Sequence, residues 1–101
     1  MAPLGPKRPA AKRLDRDSAE ALALQATAFL LSDGGRASRF LALTGFRPDT
    51  LREAATSADL QAATLEYLLG DETLLLAFCQ ESGAQPEIVA PAHALLAGPA
   101  F

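Results

Sequence analysis

A few residues in this chain have types and spacing that could do chemistry: His93, Cys79, the Asp71-Glu72 pair, the Gly34-Gly35 pair and the arginines Arg36, Arg39, Arg47 and Arg52. His93 is the single histidine and stands between Ala92 and Ala94. A metal centre would need further nitrogen, sulfur or oxygen ligands converging on it, and no histidine or cysteine pair occurs at ligand spacing. His93 is therefore read as structural or surface. Cys79 closes the run Leu74-Leu75-Leu76-Ala77-Phe78-Cys79. Burial raises a thiol pKa, so an inert core cysteine is expected rather than a nucleophile. Asp71 and Glu72 stand where a helix begins, so capping and dipole compensation account for them without acid–base work. Gly34-Gly35 follows no strand and belongs to no phosphate-loop pattern. No acid, base, nucleophile and metal set can be assembled. The expectation is a non-enzymatic protein with no catalytic residue, no cofactor, no metal and no small-molecule substrate.

The four arginines are the candidate partner-binding residues. All lie on two predicted helices or the corner between them, an outline that resembles a helix-turn-helix, where arginines could contact phosphates. The plainer reading is a solvated face that balances nearby acids.

The totals narrow the options. At 101 residues the chain suits one domain. Half of it is hydrophobic but only 6% aromatic, so the apolar content is mostly Ala and Leu, which favours helix over sheet. One cysteine excludes an internal disulfide and fits a reducing cytosol. No apolar run approaches the ~20 residues of a membrane span. The net charge of −3 hides a split. Residues 1–16 hold five basic side chains against Asp15, a net +4, which leaves −7 for the rest. Beyond Arg52 there is no Lys or Arg. An acidic C-terminal half argues against nucleic acid there.

The elements that must position these residues are helices. Residues 1–16, with Pro3, Gly5, Pro6 and Pro9 among basic residues, lack apolar periodicity and are expected to be a disordered tail. A single helical domain is expected over residues 17–98, with 99–101 as the C-terminal end. Helix 1 is predicted from Asp17 or Ser18, with Asp17 and Glu20 as a capping box. It carries Leu22, Ala26, Phe29 and Leu30 on one face and Leu24, Ala28 and Leu31 on an adjacent buried stripe, with Asp33-Gly34-Gly35 as its end. Helix 2 is predicted over about 36–44, with Gly45 as its stop. Pro48 then opens a short helix 3, with Leu51 and Ala54 inward. Ser57 caps helix 4, which Gly70 closes. Asp71 caps helix 5, running from Glu72 to about Ser82, and its apolarity nearly all round predicts a central helix. Helix 6 is predicted from the stripe Ile88, Ala92, Leu95 and Leu96, with Pro91 kinking or splitting it.

A shift of 38 positions overlays the punctuation without gaps. Leu22 falls on Leu60, Leu30 on Leu68, Leu31 on Leu69, Asp33 on Asp71, Phe40 on Phe78, Gly45 on Gly83, Pro48 on Pro86 and Ala54 on Ala92. Some Leu and Ala matches arise by chance in this composition. The Asp, Gly and Pro matches say more, because they fix caps and corners. The fold class expected is all-α: a compact bundle of about six short helices, with two tandem three-helix units over about 19–56 and 57–94.

The segments Leu22-Ala23-Leu24-Gln25-Ala26, Arg39-Phe40-Leu41-Ala42-Leu43-Thr44-Gly45, Leu51-Arg52-Glu53-Ala54-Ala55 and Asp71-Glu72-Thr73-Leu74-Leu75 resemble a small alphaproteobacterial family catalogued as domain-of-unknown-function family 3572. The resemblance covers roughly residues 18–97. It implies a small helical, cytoplasmic, bacterial protein and supplies no activity, ligand or catalytic residue. Pro91 falls where such proteins are expected to hold a plain helix.

Two functions then compete. One is a helical protein–protein interaction or adaptor module, offering a groove or the Arg patch to a protein partner or to a second copy of itself. The alternative is a nucleic-acid-binding accessory protein that uses the basic N-terminal tail and the Arg-rich corner.

Overall fold

A computed structural model describes residues 14–98. Six α-helices follow one another: α1 (Arg16–Leu31), α2 (Gly34–Thr44), α3 (Pro48–Ala54), α4 (Ala58–Leu69), α5 (Glu72–Ser82) and α6 (Val89–Ala97), with a 3-10 turn over Pro86–Ile88 before the last. No strand occurs among the described residues, and the bundle is all-α. The expected tail falls largely on residues 1–13, which, like 99–101, lie outside the described residues.

Local chemistry sets most boundaries. Asp33, Ser57 and Asp71 each accept a hydrogen bond from the backbone N–H three residues on, at 3.0, 3.1 and 3.2 Å. Each thereby satisfies one of the unpaired donors at a helix start. Pro48 opens α3, where the missing N–H is no loss. Gly45 and Gly83 end α2 and α5 at φ 81° and 83°, a backbone that side chains with a Cβ resist.

Two boundaries differ from expectation. Helix α1 begins at Arg16, and its cap is Asp15, whose carboxylate accepts from the Ser18 N–H at 2.9 Å. Glu20 pairs with the Arg16 side chain four residues back. Gly34 and Gly35 are not an exit from α1. Ser32 closes α1 in right-handed backbone, and the two glycines form the first turn of α2. The Asp33 cap restarts the helix at once, so no left-handed glycine is needed there.

The centre is a three-helix sandwich of α1, α4 and α6, with α4 and α6 in the most extensive contact. Ala19, Ala23, Ala26 and Ala92 are fully buried, and such small side chains let helix axes approach closely. Leu30, Leu60, Leu65, Leu68 and Val89 fill the space between them. Each fully buried Leu stabilises the fold by roughly 1.5–3 kcal/mol. Between α1 and α4 the Thr27 and Thr64 hydroxyls meet at 3.1 Å. Each also turns to the carbonyl four residues back, Ala23 and Leu60. Three polar contacts thus share two hydroxyl protons.

Helix α5 is not central, contrary to its composition. Only Phe78 and Cys79 are buried on it, and Leu76 is 47% exposed. The alanine-lined contact of α1, α4 and α6 already closes the core, so α5 packs on its edge. The Leu24, Ala28 and Leu31 stripe of α1, also expected inside, faces solvent. In the last segment Val89, Ala92 and Leu96 point inward, while Leu95 is exposed and Ile88 half-buried. Pro91 sits in the first turn of α6, and its ring would collide with an α-helical carbonyl of Glu87. The segment accordingly divides into a 3-10 turn and α6.

Offset by 38, the bounds of α2 fall on those of α5, Asp33 on Asp71 as caps, Gly45 on Gly83 and Pro48 on Pro86. The aromatic rings follow the same offset with partners exchanged. Phe29 of α1 meets Phe78 of α5 at 5.5 Å, and Tyr67 of α4 meets Phe40 of α2 at 5.2 Å.

Candidate functional site

The four arginines differ in their local partners. Arg36 lies over the Phe29 ring, its guanidinium carbon 4.3 Å from the ring centroid, and donates to the Phe29 carbonyl at 3.4 Å. A cation over a ring face is held by the ring quadrupole, so Arg36 is tied to the α1–α2 packing. Arg47, the residue before α3, donates twice to the Asp49 carboxylate at 3.2 Å. That fork holds the Asp49 carboxyl below the usual carboxylate range. Arg39 and Arg52 are exposed.

Arg52 is the arginine that joins an apolar surface. It lines a groove of about 320 Å³ with Thr27 and Leu31 of α1 and Pro48, Leu51 and Ala55 at α3. Of the exposed α1 stripe, Leu31 lines this groove, while Ala28 lines a groove on the α5 side. Leu24 and Leu31 are 45% and 37% exposed. Isolated exposed apolar residues are ordinary, but Leu31 beside Pro48, Leu51 and the Arg52 guanidinium makes this groove a surface of mixed apolar and cationic chemistry. The stripe is expected inside on periodicity, which cannot say which of two adjacent apolar stripes a neighbouring helix covers.

Two further grooves are related by the 38-residue offset. The first, between α1 and α5, is lined by Gln25, Ala28, Phe29, Glu81 and Ser82, with Phe78 and Ser32. The second, between α2 and α4, is lined by Ala63, Glu66, Tyr67, Leu43 and Thr44. Gln25 corresponds to Ala63, Ala28 to Glu66, Phe29 to Tyr67, Glu81 to Leu43 and Ser82 to Thr44. Each lining has one charged member, Glu81 in the first and Glu66 in the second.

His93 on α6 stands 3.9 Å from the Glu66 carboxylate across a partly exposed gap. Cys79 is buried on α5, and burial, with the Glu87 carboxylate adding to it, pushes its thiol pKa up. Among the described residues no group of three His, Cys, Asp or Glu side chains could hold a metal ion. Asp71 works as the α5 cap. No helix of the described residues is long and apolar enough to cross a membrane.

A family profile described as "Protein of unknown function (DUF3572)" matches residues 16–99. No curated protein and no solved structure matches the chain.

Proposed function

We propose that this chain, which belongs to the DUF3572 family, is a non-enzymatic helical interaction module that works in the bacterial cytoplasm. The single observation that carries the reading is the α1–α3 groove, in which the exposed Leu31 joins Pro48 and Leu51 beside Arg52. An apolar floor with a guanidinium at its edge suits a protein segment that presents apolar side chains and a carboxylate. Arg39, Arg47 and Arg52 are exposed around the same corner and would steer such a segment. The lone reduced cysteine supports the compartment. The shared caps, exits and exchanged ring pairs support descent of the two halves from one duplicated three-helix unit.

Nucleic acid is the competing occupant of the Arg corner. Helix α3 has seven residues, a length of about 10 Å, and exposes Asp49 and Glu53 beside its arginine. Those acids would face phosphates, which favours the protein reading.

The test is capture of partners from the native cell lysate with wild type, with Leu24→Glu/Leu31→Glu, and with Arg36, Arg39, Arg47 and Arg52 all changed to Ala. Loss of the same specific partners in both variants supports the module. Recovery of identical partners by all three proteins removes it. Retention on heparin or DNA that weakens steeply with salt and disappears in the Arg variant transfers the corner to nucleic acid.

A further inference from the structure

We propose that the α1–α5 and α2–α4 grooves are two versions of one docking site for a cationic amphipathic helix, with linings that share no residue with the α1–α3 groove beside Arg52. The grooves occupy corresponding places in the two halves. Each lies between the long helix of one half and the middle helix of the other, over one of the two exchanged ring pairs. A furrow between two helices, with aromatic edges in its floor, is the shape that receives the apolar face of a third helix.

The charge pattern names the occupant. Of the five corresponding positions, those at the rim have changed type, yet each groove keeps one carboxylate. In the first it comes from the shorter helix, as Glu81 opposite Ala28. In the second it comes from the longer helix, as Glu66 opposite Leu43. Both carboxylates are exposed at the rim, and neither lining includes a Lys or Arg. Arg36 covers Phe29 but is occupied by the Phe29 carbonyl. Beyond Arg52 the chain has no Lys or Arg to neutralise Glu81, and Glu66 has only the imidazole of His93 beside it, at 3.9 Å. A helix with apolar residues on one face and Lys or Arg beside them satisfies both parts of such a groove. An acidic helix would set like charges together.

The first groove is also extended. A shallow trough lined by Leu14, Ser18, Ala21, Leu22, Gln25 and Ser82 continues it toward the start of α1, sharing Gln25 and Ser82. From Ser18 to Ser32 along α1 is about 21 Å, room for four turns of a docked helix. The second groove has the shorter floor, so the first is the stronger site.

The experiment uses the full chain and two fluorescent peptides of about 15 residues, long enough to form a helix on a surface. One has Leu at helical spacing flanked by Lys, and the other has Glu in place of every Lys. Anisotropy should show binding of the Lys peptide and none of the Glu peptide. Glu81→Lys should weaken binding by roughly tenfold, since it replaces an attraction by a repulsion at the rim. Glu66→Lys should remove the weaker second phase, and the double variant should remove binding. Glu53→Lys on α3, outside both grooves, should change nothing. Equal binding of the two peptides overturns the proposal, as does unchanged binding in the double variant or an equal loss in Glu53→Lys. A triple Arg39→Ala/Arg47→Ala/Arg52→Ala protein, which leaves Arg36 on Phe29, separates this from the module reading, because it should keep the Lys peptide while losing lysate partners. If it loses partners while wild type ignores the Lys peptide, only the groove proposal falls.

Discussion

Phe40 of α2 packs edge-on against Tyr67 of α4, ring centroids 5.2 Å apart and planes at 73°. The corresponding pair, Phe78 and Phe29, meets at 5.5 Å between α5 and α1. Each middle helix is therefore fastened to the long helix of the other half. Neither half closes its own aromatic contact, which predicts that the halves fold as one unit. Edge-to-face rings add about 0.5–1.5 kcal/mol beyond the area they bury. Phe40 and Phe78 are 0% and 1% exposed, and each Phe→Ala change should cost about 3–5 kcal/mol. Urea denaturation followed by circular dichroism should give a single transition for both variants. A three-state curve for either would show that the halves are separable.

The glycines divide into two kinds. Gly45 and Gly83 have φ of 81° and 83°, and a Cβ would meet open space at both. Any penalty on Ala substitution is thus conformational, about 1–2 kcal/mol at each site. Gly34 lies in ordinary helical backbone in the first turn of α2, also with open space around it. Gly34→Ala should stabilise by about 0.4–1 kcal/mol, since it restricts the unfolded chain and strains nothing. Thermal melting of the three variants checks the sign, and a destabilised Gly34→Ala would contradict this account of the α1–α2 junction.

The same contrast separates what is legible in the residues from what is not. Caps and stops act within four residues, so the roles of Ser57, Asp71, Gly45 and Pro48 can be read from the chain alone. Gly34-Gly35 is ambiguous at that level, because glycine tolerates both an exit and an ordinary first turn. Asp33 makes the choice by capping α2. The burial of α5 and of the Leu24 stripe depends on which helices the alanines of α1 and α6 draw together, a non-local matter. The grooves are hidden for the same reason. Their walls pair residues about fifty positions apart in one case and about twenty in the other, and no periodicity marks that pairing. The arginine corner is visible as a set of residues, but the ties of Arg36 to Phe29 and of Arg47 to Asp49 are not.

Cys79 gives a prediction in pH. Its buried position, with Glu87 as the lesser influence, raises the thiol above its ordinary value of 9.0. The folded chain keeps this proton at a pH where the unfolded chain has lost it. The associated stability is fully present below the ordinary thiol value and is lost as pH rises past it. Native protein should react with an aromatic disulfide reagent far more slowly than urea-unfolded protein at pH 8. Comparable rates would mean that the thiolate forms readily in the native state.

Gln61 carries the last prediction. It is 4% exposed on α4, its amide nitrogen donates to the Ala55 carbonyl at 3.3 Å, and its Oε1 has no partner among the described residues. A buried carbonyl without a donor costs about 1–3 kcal/mol, while one neutral hydrogen bond returns about 1 kcal/mol. Gln61→Met keeps the shape and removes the unpartnered Oε1, but takes the donor from the half-buried Ala55 carbonyl, so the two effects should offset and leave stability within about 1 kcal/mol of wild type. Gln61→Glu keeps the shape but adds a charge and replaces the donor toward Ala55 by an acceptor. It should destabilise by several kcal/mol at neutral pH and recover on acidification, when the carboxyl is protonated and can donate to Ala55 in place of the amide. Denaturation midpoints of both variants at pH 7 and pH 4.5 decide it. A Gln61→Met protein much less stable than wild type would show that the amide carbonyl is satisfied in solution, and that this polar atom supports the α3–α4 junction instead of straining it.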